Sequence, residues 1–383
     1  MKIYNIFNLA LILLSIFQSC QKIDGKTENN QNKPSAGEIL SPGCVYEQNK
    51  GGYELYRIPS IVDSGSGVLL AFAEARKTRS SGDSGDIDLV LKRSLDGGKT
   101  WGEMIMVWDD GRNTCGNPVP IVGKNGVIHL LMTWNKGEDK WGSITSGQSA
   151  DTRRPYYSYS EDDGLSWSAP VEITSSVKSD EWDWYGTGPC HGIMMTTDRY
   201  AGRLVSPNYF TKRENGKAVS YSHVIYSDDN GKSWQAGSPV SVSGVGECAV
   251  AELSDGTLLL DMRASEGFYR KLSRSTDGGL SWSEPVAVVD LVDSDCQGSI
   301  LYDGKDLYQT NTASATERMN MTVKRSSDNG KTWKAQYMVY QGKSGYSDIV
   351  EISDDEIAVL YEGGISRYTE SIFFKVVSKS SIR

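Results

Sequence analysis

Histidine and cysteine are scarce, three and six in 383 residues. No Cys-x-x-Cys pair and no His-Glu-x-x-His run occurs, so neither a cysteine-ligated zinc site nor a zinc hydrolase is expected, and no metal or other cofactor is assigned. Positive charge is also short. Forty Lys and Arg stand against 49 Asp and Glu, for a formal net charge of −9 and a pI near 5.1. Nucleic-acid binders carry a basic footprint, so a nucleic-acid partner is not expected. Any anionic ligand must be held by locally concentrated Arg rather than by the overall field. Helical periodicity is missing after residue 20, which argues against a helical fold. What remains is a composition of 38% hydrophobic and 23% charged residues, enough for a sizeable core.

Met1–Cys20 stands outside the folded part. Lys2 precedes an apolar run from Ile6 to Phe17, too short for a membrane span and of signal-segment length. It ends Phe17-Gln18-Ser19-Cys20, which resembles a lipoprotein signal with Cys20 as the lipidated residue. The expectation is an exported protein of the cell envelope, touching membrane only through that anchor, with plain secretion as the alternative. Residues 21–43 are polar, with Asn, Gln, Lys and Pro, and read as a flexible linker to a folded domain over 44–383. Cys44, Cys115, Cys190, Cys248 and Cys296 read as small buried hydrophobes, with a single disulfide left open.

The chain is organised on an octamer, Ser-x-Asp-x-Gly-x-x-Trp, which begins at Ser94, Ser160, Ser227, Ser275 and Ser326. The Asp side chain accepts backbone N–H bonds inside a turn, Gly takes a positive φ, and the Trp anchors the outgoing strand. Five copies make a repeat architecture. Glu247–Val289 shows one whole unit: strand Cys248–Leu253, turn Ser254-Asp255-Gly256, strand Thr257–Ala264, strand Arg270–Ser275, the octamer turn, and a fourth strand opening at Trp282. Four antiparallel strands in roughly 45 residues is the size of a propeller blade. Five octamers, a start at Cys44 and a last strand at Ile372–Ser378 predict an all-β, six-bladed β-propeller whose two termini share a blade.

Antiparallel order then places residues on rims. The start of strand 1, the end of strand 2 and the connection to strand 3 share one rim, and the octamer lies on the other. Glu247 and Tyr346 each follow an octamer Trp by 13 residues, at the start of a strand 1. Arg57 falls beside that place, Arg263 and Glu362 at the ends of second strands. Asp83 and Arg318 come 11 and 8 residues before their octamers. Ile87, Leu89 and Leu91 alternate with Asp86 and Asp88, which puts those two acids on the strand's polar face and leaves Asp83 on the loop. Three Arg gathered at one spot repel each other unless an anion sits between them, and a planar carboxylate suits their forks. A Tyr beside a Glu is a phenol next to a base, and a carboxyl on a loop can act as acid and then base.

Arg57-Ile58-Pro59, the repeated Asp-box, and the order Arg, Asp, Glu, Arg, Arg, Tyr resemble the bacterial exo-sialidases (neuraminidases) from about Tyr53 to Tyr361. The 16-residue gap from Glu247 to Arg263 and the 28-residue gap from Arg318 to Tyr346 belong to that likeness. The resemblance implies a retaining hydrolase of terminal sialic acids on glycans, glycoproteins or glycolipids. It implies that Arg57, Arg263 and Arg318 clamp the sugar carboxylate, that Tyr346 is the nucleophile, Glu247 its activator and Asp83 the acid/base. Glu362 is implied to orient Arg57, and Arg76 to reach the O4 side of the sugar. Trp134 is a candidate floor for the N-acetyl pocket. Trp182 and Trp184 are candidates either for the penultimate sugar or for packing, and His191 for rim structure. A trans-sialidase, an intramolecular lyase or a non-catalytic glycan-binding propeller are the alternatives that share this residue set.

Overall fold

Tight turns and apolar alternation dictate strands almost throughout, and the computed structural model describes residues 43–79 and 82–383. The expected signal segment with Cys20, and all of the linker except Gly43, lie outside the described residues. Strand β1 (Cys44–Glu47) is followed by β2 (Leu55–Asp63), β3 (Leu69–Arg76), β4 (Ile87–Ser94) and β5 (Ile105–Trp108). Next come β6 (Thr114–Val122), β7 (Ile128–Asn135), β8 (Arg154–Ser160) and β9 (Val171–Glu172), interrupted by helix α1 (Trp141–Ser146). A second single-turn helix, α2 (Thr174–Val177), leads to β10 (Trp182–Thr187), β11 (Ile193–Met194), β12 (Leu204–Glu214), β13 (Lys217–Ser227) and β14 (Gln235–Ala236). Then follow β15 (Val245–Glu252), β16 (Leu258–Ala264), β17 (Tyr269–Ser275) and β18 (Val286–Val292). The chain ends with β19 (Ser299–Tyr302), β20 (Leu307–Thr312), β21 (Met319–Ser326), β22 (Ala335–Ser353), β23 (Glu356–Gly364) and β24 (Ser371–Ser378).

Neighbouring strands pair antiparallel, apart from a parallel bridge between Ile87 and Thr114 that joins β4 to β6. Strand β22 is shared: its first half pairs with β21 and its second half with β23. Strand β1 pairs with β24, so the first strand of the domain is stitched to the last. The expected fourth strand after Trp282 begins four residues later, at Val286. Pro285 has no N–H to give a ladder, and Ser283 is already bonded to Ser273 and Arg274 across the turn.

All five octamers adopt one turn. In the first, Ser94 Oγ donates to Asp96 Oδ1 at 2.8 Å and accepts from Gly98 N at 2.8 Å, while Asp96 accepts from Thr100 N at 2.9 Å and Thr100 Oγ1 at 2.6 Å. The same four bonds recur around Asp162, Asp229, Asp277 and Asp328. Each turn carries two successive positive φ values, on Gly, Asp or Asn and then on the invariant Gly of the octamer. At Gly98 a Cβ would also meet the Phe374 ring at 2.1 Å.

The Trp of each octamer packs on strands other than the one it follows. Trp101 packs edge-on to Phe374, Trp167 to Phe72, and Trp234 against Tyr157. Apolar faces follow the same order: β2–β4 pack on β6–β8, β6–β7 on β10–β13, β12–β13 on β15–β16, β15–β17 on β19–β20, and β20–β21 on β22–β24. A last cluster, with Ile61, Leu69, Val350, Leu360 and Phe374, packs the final strands on the first. A buried Leu, Ile or Phe contributes about 1.5–3 kcal/mol, against about 0.5–1.5 kcal/mol for a turn hydrogen bond. These interfaces, not the turns, hold the fold together.

Where the middle of β2, the segment between β10 and β11, the start of β19 and the second half of β22 meet, the interior becomes polar. The Asp348 carboxylate, fully buried, accepts from Ser60 Oγ, Ile61 N, His191 N and Nδ1, and Ser299 Oγ at 2.6–3.0 Å. His191 therefore has a structural partner. Burial works against its protonation, but the Asp348 charge and hydrogen bond outweigh that and raise its pKa.

Candidate active site

The candidate site starts from a distorted strand. Between Arg57 and Ser60 the β2–β3 register shifts, and Ile58 takes φ 58°, a conformation that costs a β-branched residue about 1–2 kcal/mol. Glu362 of β23 holds this backbone. Its carboxylate accepts from Ile58 N at 3.0 Å, Tyr346 N at 3.1 Å and Arg57 Nη2 at 3.1 Å, and lies 3.0 Å from Arg57 Nε. Arg57 and Glu362 are both buried. Gly345 makes room for this arrangement, since a Cβ there would sit 2.3 Å from Glu362 Oε2.

Tyr346 of β22 and Glu247 of β15 meet as the register of the repeats predicts. The phenol donates to Glu247 Oε1 at 2.5 Å. Arg263, at the end of β16, donates through Nη1 to Glu247 Oε2 at 2.6 Å and to the Tyr346 hydroxyl at 3.2 Å. The Arg57 and Arg318 guanidiniums lie 5.1 and 5.5 Å from the Tyr346 ring centroid, within cation–π range. Burial raises the Tyr346 pKa and the Glu247 charge adds to it, outweighing Arg263 and Arg318, so the phenol stays protonated well above its usual value.

Asp83 and Arg76 form an adjoining pair. Arg76 Nη2 donates to Asp83 Oδ1 at 3.2 Å and to Glu74 Oε2 at 2.5 Å, and Nη1 donates to the Gly82 carbonyl at 2.7 Å. Asp83 is about half exposed, Arg76 buried. Partial desolvation pushes the Asp83 carboxyl up, but the Arg76, Arg57 and Arg153 charges outweigh it and hold its pKa below the ordinary Asp value. Asp88 turns away from this group and accepts from Tyr53 at 2.6 Å. It is fully buried, although its strand position suggested an open polar face.

Arg57, Glu362, Tyr346, Glu247, Arg263 and Arg318 thus form one connected set, with Arg76 and Asp83 beside it. A model of the BNR repeat-like domain matches residues 67–359. An exo-alpha-sialidase of Aspergillus fumigatus is 32% identical over 81% of this chain and 79% of its own length. The chain belongs to the sialidase family. A sialidase of Bacteroides fragilis is 30% identical over 82% of this chain. The chain spans 61% of that relative and 53% of a Micromonospora viridifaciens sialidase. Among solved structures, a Hadza microbial sialidase superposes with TM-score 0.80 at 28% identity, covering 89% of this chain and 69% of its own. An intramolecular trans-sialidase from Ruminococcus gnavus shares the fold at 19% identity, with TM-score 0.72 over 86% and 96% of the two chains.

In this sialidase-family chain further groups lie on the cluster or near it. Tyr368 lies beneath two cations, 5.5 Å from Arg57 and 5.4 Å from Arg318. Asp295 contacts both Arg263 and Arg318. Arg153, buried, donates to Thr133 Oγ1 and Asn117 Oδ1 and sits 4.2 Å over the Trp184 ring. Trp184 in turn donates to Tyr209 Oη at 3.2 Å. None of these occupies a repeat position that would single it out.

The other aromatic candidates fall elsewhere. Trp134 donates to Asp110 at 2.7 Å, packs on Tyr156, and lines a surface cleft with Arg112, Asn113 and Lys136. Trp182 stacks on Phe210 at 3.6 Å within a core cluster, so packing accounts for it. The five cysteines of the described residues are free and buried. Among the described residues no three His, Cys, Asp or Glu side chains converge to hold a metal ion.

Proposed function

We propose that the protein is a retaining exo-α-sialidase acting on terminal sialic acids of glycans, glycoproteins or glycolipids. In this reading residues 44–383 are the catalytic domain, a six-bladed β-propeller whose octamers are Asp-box turns. The cyclic order of apolar interfaces and the β1–β24 closure support six four-stranded blades around an axis. The observation that carries the activity is the 2.5 Å hydrogen bond from Tyr346 to Glu247 within a group of three Arg.

Sialic acid bears a carboxylate on its anomeric carbon, so an Asp or Glu nucleophile would approach against like charge. A neutral phenol does not. Arg57, Arg263 and Arg318 hold the carboxylate, as their planar forks favour. The Tyr346 oxygen attacks the anomeric carbon while Glu247 takes its proton and Asp83 protonates the departing glycosidic oxygen. In the second step Asp83 removes a proton from water, the water oxygen attacks the same carbon, and Tyr346 leaves with its proton returned from Glu247. Two inversions give net retention. The free protein holds Asp83 ionised. A bound substrate carboxylate offsets the Arg57 charge and favours the protonated form that the first step needs.

Arg76 is assigned to the O4 side of the sugar and Glu362 to orienting Arg57, while Trp134, on a cleft lined by none of these residues, is given no part in the sugar pocket. Export, with lipid attachment at Cys20, belongs to the same proposal. Release of 4-methylumbelliferone from its sialoside by the purified protein tests the activity, and no release rejects it. NMR of the product, with and without lactose, separates free sialic acid from an anhydro sugar or a transfer product.

A further inference from the structure

Arg263 and Arg318 come from different strands, yet a single loop residue holds both. Arg263 Nε donates to Asp295 Oδ1 at 2.7 Å, and Arg318 Nη2 donates to the Asp295 main-chain carbonyl at 3.0 Å. Side chain and carbonyl serve two neighbours at once because Asp295 takes φ 57°, a conformation Asp tolerates better than most residues.

The loop around Asp295 is anchored from below. Arg270, fully buried, donates through Nε to Asp261 Oδ1 at 2.6 Å, and through Nη1 to Asp293 Oδ2 at 3.3 Å and the Cys296 carbonyl at 2.9 Å. Cys296 N donates to Asp293 Oδ1 at 3.2 Å, and the Cys296 side chain packs against Ile58 and Tyr346. On the other side Gln297 Nε2 donates to the carbonyls of Pro189 and Ser347 at 2.7 and 3.0 Å. Asp295 is therefore half exposed in side chain, at 52%, but fixed in backbone.

The consequence lies in the guanidinium planes. Arg263 Nη1 is committed to Glu247 and Tyr346 and its Nε to Asp295, so the plane is set at both ends. Of the three Arg263 side-chain nitrogens, Nη2 is the one with no protein partner among the described residues. We propose that Asp295 is the positioning residue of the carboxylate clamp, fixing Arg263 and Arg318 before substrate arrives. This rests on reading those two Arg as the clamp. Preorganised partners spare the ordering cost on binding, and the clamp holds the substrate carboxylate alike in ground and transition states. Loss of such uniform binding raises KM and leaves kcat nearly alone.

The test is steady-state kinetics of Asp295→Ala and Asp295→Asn on 4-methylumbelliferyl sialoside and on its carboxylate methyl ester. Removing a charge-assisted hydrogen bond predicts a KM for Asp295→Ala about tenfold to hundredfold higher, with kcat within about threefold of wild type. Asp295→Asn keeps an acceptor oxygen and the carbonyl, and stays near the wild-type KM. On the methyl ester, wild type and Asp295→Ala converge. An unchanged KM in Asp295→Ala, an equal fall in kcat, an undiminished difference on the ester, or an Asn variant as impaired as Ala each overturns the assignment. A wild type that neither cleaves the sialoside nor binds sialic acid in calorimetry strikes the clamp reading itself, and this assignment falls with it.

Discussion

The Tyr346 hydroxyl and Glu247 Oε1 lie 2.5 Å apart, and Arg263 bridges both from one nitrogen. The phenol is held protonated by burial and by the Glu247 charge, so its proton must leave as its oxygen attacks, toward the base already bonded to it. Tyr346→Phe is expected to lower kcat by about a thousandfold or more, the scale of losing a nucleophile. Glu247 stays paired with Arg263 in that variant, so stability should fall by no more than about 1–2 kcal/mol. Turnover on the fluorogenic sialoside and a thermal melt measure the two. Wild-type-like turnover would remove Tyr346 from the mechanism.

Asp83 gives a leaving-group prediction. An acid that protonates the departing oxygen matters for a sugar alcohol and little for a phenolate that departs unaided. Asp83→Asn should lose about 10²–10⁴-fold in kcat on 3′-sialyllactose and far less on the 4-methylumbelliferyl substrate. The three Arg keep the free carboxyl below its ordinary range despite partial desolvation, and the reaction needs its protonated form. The kcat/KM for sialyllactose should therefore fall as pH rises from the acid side, and the Asn variant should lose that limb. Equal losses on both substrates would count against the acid role.

Glu362 and Arg57 are a buried pair. Removing one partner leaves the other charge in low dielectric, a loss of about 3–5 kcal/mol in comparable cases. Glu362→Ala also frees the N–H groups of Ile58 and Tyr346. Urea unfolding should show that loss, and KM should rise because Arg57 is no longer aimed. A variant with wild-type stability and KM would mean that Glu362 does neither.

Local physics made the repeat legible. An Asp followed by Gly, Asp or Asn and then Gly specifies two successive positive φ values, and five copies formed one turn. The meeting of Glu247 and Tyr346 followed because both sit 13 residues past an octamer Trp. Asp295 and Tyr368 lie on loops with no repeat register, and Tyr368 is one of 20 Tyr, so nothing local marked them. The loop position of Trp182 left a sugar contact and packing both open, and stacking on Phe210 once β10 and β12 pair decides for packing. Pro285 displaced the fourth strand by a rule visible in the sequence yet weaker than the expectation that the Trp opens the strand.

Acid stability follows from the repeated turns. Hydrogen bonds from Thr100, side chain first and backbone second, bring the Asp96 carboxyl down to about 2. Asp328 is also lowered to about 2, burial opposing and the Thr332 and Ser326 bonds prevailing. Asp162, Asp229 and Asp277 are lowered in the same way. A folded pKa below the unfolded value near 3.8 means stability that is complete above about pH 4 and lost as pH falls toward 2. Four of the carboxylates are exposed, Asp277 is half-buried, and all are screened by salt, so each share is small and the five act together. The double variant Asp96→Asn, Asp328→Asn should melt below wild type at pH 5, with the gap shrinking steadily to pH 2.5. A gap that stays constant over that range would show that the turns gain nothing from the charge of their Asp.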